Sequence, residues 1–186
     1  TGSNFAAGPV QTTGRDLDVA VQGAGWIAVQ GGDGKEAYTR SGSLQVSTNG
    51  LLQTRSGLNV LGDGGPISIP PDSNITIARD GTVSVVSIIP PPTSVNEVGR
   101  IKLVNPDEKQ LVRGGDGLFR LGQGGNAPAD PAVALAGRAL EGSNVSAVEE
   151  MMSMISLARQ FDIQMQLLNN AQKNATQASQ ILNIRS

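Results

Sequence analysis

Asp16 and Asp18, two positions apart in "RDLDVAV" (Arg15 to Val21), are the one closely spaced aspartate pair in the chain. Two carboxylates on one strand face could share acid and base roles in a hydrolytic reaction. The competing expectation, which the surrounding residues favour, is a solvated strand edge. Four glycine-rich strings also invite a chemical reading: "GGDG" (31–34), "GDGG" (62–65), "GGDG" (114–117) and "GQGG" (122–125). None has the strand-to-helix context or the GK[ST] ending that phosphate binding needs, so all four are expected to be turns. Trp26, in "WIAVQ", is expected as a core anchor rather than a ligand-stacking ring.

The residue types that are missing narrow the chemistry further. With no histidine and no cysteine, Ser-His-Asp and Cys-His catalysis, disulfides and the usual zinc ligand sets are excluded. Any enzyme would have to work with carboxylates, Lys or Tyr. There is no G-x-S-x-G, EF-hand or H-E-x-x-H pattern, and the sequence points to no catalytic residue, cofactor or metal. Formal charge is −2 with basic residues scattered along the chain, which gives nucleic acid or an anionic membrane no footprint. No apolar run approaches the roughly 20 residues a membrane span requires, and the first residues, "TGSNFAAGPVQTTGRD", lack the basic and apolar regions of a secretory leader.

The elements that must position these residues divide sharply. All 24 glycines fall at or before Gly142 and all 10 prolines at or before Pro131. Loss of both breakers marks a change from turns to continuous helix. Upstream, "LDVAV" (17–21), "WIAVQ" (26–30), "SLQVS" (43–47), "NITIA" (74–78), "TVSVV" (82–86) and "IKLV" (101–104) read as short strands, with Leu17, Val19 and Val21 alternating as in a half-buried strand. Asp33-Gly34, Asn49-Gly50, Asp80-Gly81 and Asp116-Gly117 are hairpin signals. "TRSGSLQV" (39–46) is echoed by "TRSGLNVL" (54–61), each expected as a turn followed by a strand, and "IIPPPTS" (88–94) as a stiff connector. The fold expected is mainly β with a long C-terminal α-helix: an extended arm (1–14), an antiparallel multi-stranded β domain (15–142), and a protruding assembly helix (143–186). With so few aromatics the β core must be built from Val, Ile and Leu.

The helix is expected from a capping box, Ser146 with Glu149, to about Asn183, with Arg185 suited to its negative end. Such a rod is about 55 to 60 Å long, whereas a compact β domain of this size has a radius of gyration of about 14 Å. It is therefore expected to overhang. Met151, Met154, Ala158, Phe161, Met165, Leu168, Ala175 and Leu182 fall on one heptad seam that starts large and ends small and polar, and Val148, Met152, Ile155, Ile163, Leu167 and Ile181 widen it. An apolar surface of that width suits more than one neighbour. Ten Asn or Gln residues between Gln160 and Asn183 suit specific contacts with other chains. The alternative is a helix folded back along the β domain.

"GRDLDVAVQGAGWIAVQ" (14–30), "AYTRSGSLQVSTNGLLQT" (37–54) and "LEGSNVSAVEEMMSMISLARQFDIQM" (140–165) resemble the bacterial flagellar rod and hook family. "VGRIKLV" (98–104), "GDGLFRL" (115–121) and "LEGSNV" are most similar to its proximal-rod members, with distal-rod members as the alternative. The resemblance implies a structural subunit of the periplasm-crossing basal-body rod, exported by the flagellar secretion apparatus. It also implies partners: copies of itself, other proximal and distal rod subunits, and the family's amino-terminal helix, for which this sequence has no counterpart. Two other classes remain open from the residues alone: a phage-tail or adhesin-like β module trimerised by its helix, and a cell-wall hydrolase.

Overall fold

The computed structural model describes residues 8–88, 95–143 and 147–183, and within the helix the side chains of 151, 152 and 154–171. The expected proline connector therefore lies largely outside the described residues. The chain divides into two compact units, 1–144 and 145–186, and each is treated by itself.

The first unit is a set of antiparallel sheets. The largest has five strands in the order Leu103–Val104, Trp26–Gln30, Glu36–Thr39, Phe119–Leu121 and Leu111–Arg113. A three-stranded meander runs Asn96–Arg100, Thr82–Ser87, Ser73–Ile77. Two-stranded ladders join Val19–Gln22 to Ala134–Gly137, Leu44–Val46 to Leu52–Thr54, Leu61–Gly62 to Gly65–Pro66, and Val10–Thr12 to Ala139–Glu141. The expected arm is thus in part a strand.

The unbroken apolar run "WIAV" follows from burial on both faces of its strand. Ile27 and Val29 face an aliphatic core with Val19, Val21, Leu44, Leu52 and Val60, while Trp26 and Ala28 face a smaller cluster with Tyr38, Val104 and Leu111. The larger core is Val, Ile and Leu as the composition requires; the smaller one gathers three of the five aromatics, with the Trp26 and Phe119 ring centroids 4.7 Å apart. The expected half-buried alternation at 17–21 is not observed. Asp18, Val19, Ala20 and Val21 are all buried, with the Thr13 and Ser43 hydroxyls on the Asp18 carboxylate.

One turn design recurs. Gly81 donates its N–H to Ala78 O (3.0 Å) and Ala78 donates to Thr82 O (2.8 Å), which closes a type I turn with a residue in the left-handed region at its fourth position. The same two bonds form around Gly34, Gly50, Gly57 and Gly117, with φ between +73° and +87° at all five glycines. A side chain there costs about 1–2 kcal/mol. In three copies an aspartate side chain also accepts from the amide two residues on: Lys35 N–H to Asp33, Thr82 N–H to Asp80 and Leu118 N–H to Asp116.

The two "TRSG" segments differ from the expectation of two turns. In the second, Gly57 makes the turn just described. In the first, residues 40–42 run without a turn, and Gly42 O accepts from Val19 N–H at 2.9 Å. A Cβ on Gly42 would lie 1.8 Å from Val19 O, so glycine is needed there for close approach. Gly57→Ala should therefore cost about 1–2 kcal/mol and Gly42→Ala about 3 kcal/mol or more, read as the difference in urea midpoint. Equal costs would contradict this assignment.

Candidate functional site

The second unit is a single helix, Ala147–Asn183. Its sequence contains no Gly or Pro and is rich in Ala, Met, Leu and Gln, all good helix formers. At 37 residues it is about 55 Å long. Every described side chain on it is exposed, including Met154 and Leu157 at 70% and Phe161 at 63%.

At about 100° per residue, Leu157, Leu168, Phe161, Met154, Met165, Ala158 and Met151 fall side by side on one broad face. Met152, Ile163 and Leu167 form a second, narrower one on the opposite side. Gln160 and Gln164 separate the two along one flank, and Arg159, Asp162 and Gln166 along the other, where Ile155 lies. The helix therefore gathers six expected seam residues on the broad face and sets Met152 apart from them. Leu157 is absent from the seam that strict three-four spacing selects; its i, i+4 relation to Phe161 is the signal that would have found it. Ser146 lies outside the described residues, and so do the side chains of Val148, Glu149, Ala175 and Leu182.

Burying a Leu, Phe or Met side chain is worth about 1.5–3 kcal/mol. Contiguous exposed apolar area on this scale marks an interaction surface.

At the carboxy-terminal edge of the first unit, its last strand is clasped to its first. Val10 pairs with Glu141 and Thr12 with Ala139; Gly142 donates to Pro9 O at 2.8 Å, and Thr13 and Gly14 donate to Arg138 O. The Glu141 carboxylate accepts from Gly8 N–H (2.8 Å) and from Arg40 Nε (2.8 Å). Arg40 also donates to Gly23 O at 2.7 Å, and its guanidinium lies 5.7 Å from the Trp26 ring centre. Both members of the ion pair are largely covered, with side chains 16% and 10% exposed.

Asp16 and Asp18 are not a dyad, and Asp18 is not on a solvated edge. Asp16 pairs outward with Arg138 at 2.6 Å, whereas Asp18, 1% exposed, accepts from the Thr13 hydroxyl (2.7 Å) and the Ser43 hydroxyl (3.3 Å). A second inward group is Tyr38. Burial pushes its hydroxyl up to about 12; it donates to Glu36 at 3.0 Å and accepts Ala127 N–H at 2.7 Å. Lys102 Nζ closes that network on Glu36 at 2.8 Å. The glycine-rich strings are all at turns, as expected. On the surface, the bond from Arg120 to Asp116 (2.7 Å) holds the Asp116 carboxyl well below the usual range, at about 2.

Comparison with known proteins places these features in a family. Residues 20–85 match the family model described as flagellar hook protein FlgE/F/G D1 domain, and residues 136–181 match flagellar basal body rod FlgEFG protein C-terminal. The flagellar basal-body rod protein FlgF of Salmonella typhimurium is 43% identical over 98% of this chain and 75% of its own length. FlgF of Escherichia coli matches at 43% over the same shares. A FlgG rod protein, from Buchnera aphidicola subsp. Schizaphis graminum, is 35% identical over 95% of this chain and 69% of its own length.

Two outcomes follow from the geometry. Arg40→Ala leaves the covered Glu141 charge without its partner and should cost about 3 kcal/mol, with amide exchange accelerated first in Val10–Thr12 and Ala139–Glu141; unchanged exchange there would show that the pair does not hold the ladder. Asp116 has a folded pKa below its unfolded one, so its contribution is present above about pH 4 and is lost as pH falls through about 2. Asp116→Asn should flatten the fall in unfolding free energy over that interval, and parallel curves would refute the pairing.

Proposed function

Since the chain belongs to the flagellar basal-body rod protein family and is a structural subunit of the bacterial flagellar rod, we propose that its helix is the surface through which it assembles. The carrying observation is the row of Met151, Met154, Leu157, Phe161, Met165 and Leu168 standing exposed on one face, with Met152, Ile163 and Leu167 on another. Two faces permit two neighbours at once. Contacts of that kind between unlike surfaces do not close on themselves and generate a helical filament.

The mechanism is mechanical. Apolar side chains of one subunit pack between those of the next, and torque passes through this packing rather than through any reaction, so the chain works without catalysis. Its partners are other copies and other rod subunits, and its place is the flagellar basal body. The match to FlgF supports a position in the proximal part of the rod. The rod's course across the periplasm and export by the flagellar secretion apparatus belong to the same proposal, as do Val148, Ala175 and Leu182 as outlying members of the surface and Ser146 with Glu149 as its cap.

Phe161→Asp tests the surface directly. Placing an unpaired carboxylate in the packed seam costs about 3–5 kcal/mol, so assembly of the full-length protein should weaken at least about a hundredfold and cells carrying it should lack motility. Trp26 fluorescence should show the β unit still folded. A normal rod built from this variant would refute the assignment, and defined trimers with no longer assemblies would replace it with a trimerised β module.

A further inference from the structure

All four methionines of the chain, Met151, Met152, Met154 and Met165, lie on this helix, and each is 44% exposed or more. The chain has no cysteine, so these thioethers are its only sulfur atoms. The aliphatic core contains none, and the single tryptophan is 5% exposed. The side chains most reactive toward a peroxide are therefore concentrated on the proposed assembly surface and absent from the interior of the β unit. We propose that these four methionines are a modification site at which oxidation to the sulfoxide switches off assembly while leaving the β unit folded.

The chemistry needs only a hydroperoxide. The thioether sulfur attacks the terminal peroxide oxygen, the O–O bond breaks, and sulfur loses two electrons and gains that oxygen. The oxygen's proton passes to the leaving oxygen, which departs as water from hydrogen peroxide or as the alcohol from an organic hydroperoxide. The product is a polar, chiral sulfoxide where a flexible apolar chain had been. Met151, Met154 and Met165 flank Phe161 on the broad face, and Met152 sits with Ile163 and Leu167 on the other. Oxidation thus touches both faces. Packing against a neighbour would cover the same sulfur atoms, so the site is open before assembly and closed after it. The inference rests on the helix being the assembly surface.

The test uses the purified full-length protein with hydrogen peroxide as the probe. Peptide mass spectrometry should find one added oxygen on each of the four methionines in the unassembled protein and markedly slower addition in assembled material. Sedimentation should show at least a tenfold loss of assembled protein, reversed by the two methionine sulfoxide reductases that together reduce both epimers. The unfolding midpoint read by Trp26 should not move. With leucine at all four positions, assembly relative to its own untreated level should no longer respond to peroxide. Oxidised protein that assembles as the reduced protein does would overturn the inference, as would a falling Trp26 midpoint or an equal peroxide loss in the leucine variant. Phe161→Asp, without peroxide, separates the two failures. If it assembles normally, the surface itself is wrong; if it fails while oxidised protein assembles, only the switch is wrong.

Discussion

The ladder between Val10–Thr12 and Ala139–Glu141 holds the architecture of the first unit together, because it joins strands near the two ends of that unit. About 125 residues lie between its members, so closing it costs more chain entropy than any hairpin in the unit, though the cost grows only slowly with length. Three paired positions alone, at about 0.5–1.5 kcal/mol per bond, would be a weak closure. The Arg40–Glu141 pair strengthens it by tying the last strand to the strand connection after Glu36–Thr39, and Arg40 reaches on to Gly23 O. Asp18 acts on the other side of the same ladder, since its side chain accepts from Thr13 and its carbonyl from Ala139 N–H.

Much of this was legible in the sequence where one residue type has one reason to be present. "WIAVQ" is a strand over the same five residues, 26–30, in the structure, because four consecutive apolar positions suit a strand covered on both faces. Asp33-Gly34, Asn49-Gly50, Asp80-Gly81 and Asp116-Gly117 are turns, with the glycine at positive φ in each. Legibility failed where one residue type serves two ends. Gly42 and Gly57 sit in the same four-letter word, yet one permits a close backbone approach and the other a left-handed turn. Asp18 reads as a surface carboxylate in the sequence because nothing in it shows that the hydroxyl donors Thr13 and Ser43 converge on its side chain in the fold. Strands such as Glu36–Thr39 and Asn96–Arg100 carry charge at positions where alternation alone gives no clear face.

The helical site was legible in its residues more than in their grouping. Spacing found most of the apolar positions, but a single heptad seam excludes Leu157 and understates Ile163 and Leu167. Straight α-helix turns about 100° per residue, so strict heptad spacing drifts by about 20° every seven residues. Over the 21 residues from Met151 to Ala171 that drift moves the seam by about 60°, enough to bring Leu157 beside Phe161 and Leu168. The correct unit of reading here is the face, not the repeat.

The two units also divide the apolar amino acids between them in a way that their tasks explain. Val and Ile are stiff at χ1 and define a unique packing, and they dominate the buried core of the β unit. Methionine has three rotatable bonds and a polarisable sulfur, which lets it follow a partner whose surface is not an exact complement; it appears only on the helix. Amides outnumber charges there, so identical copies packed along the proposed surface would meet without strong like-charge repulsion. A subunit that assembles through its helix, as proposed, needs a fixed body and an adaptable surface. Rigid side chains inside the β unit and pliant ones along the helix satisfy both demands in one chain of 186 residues.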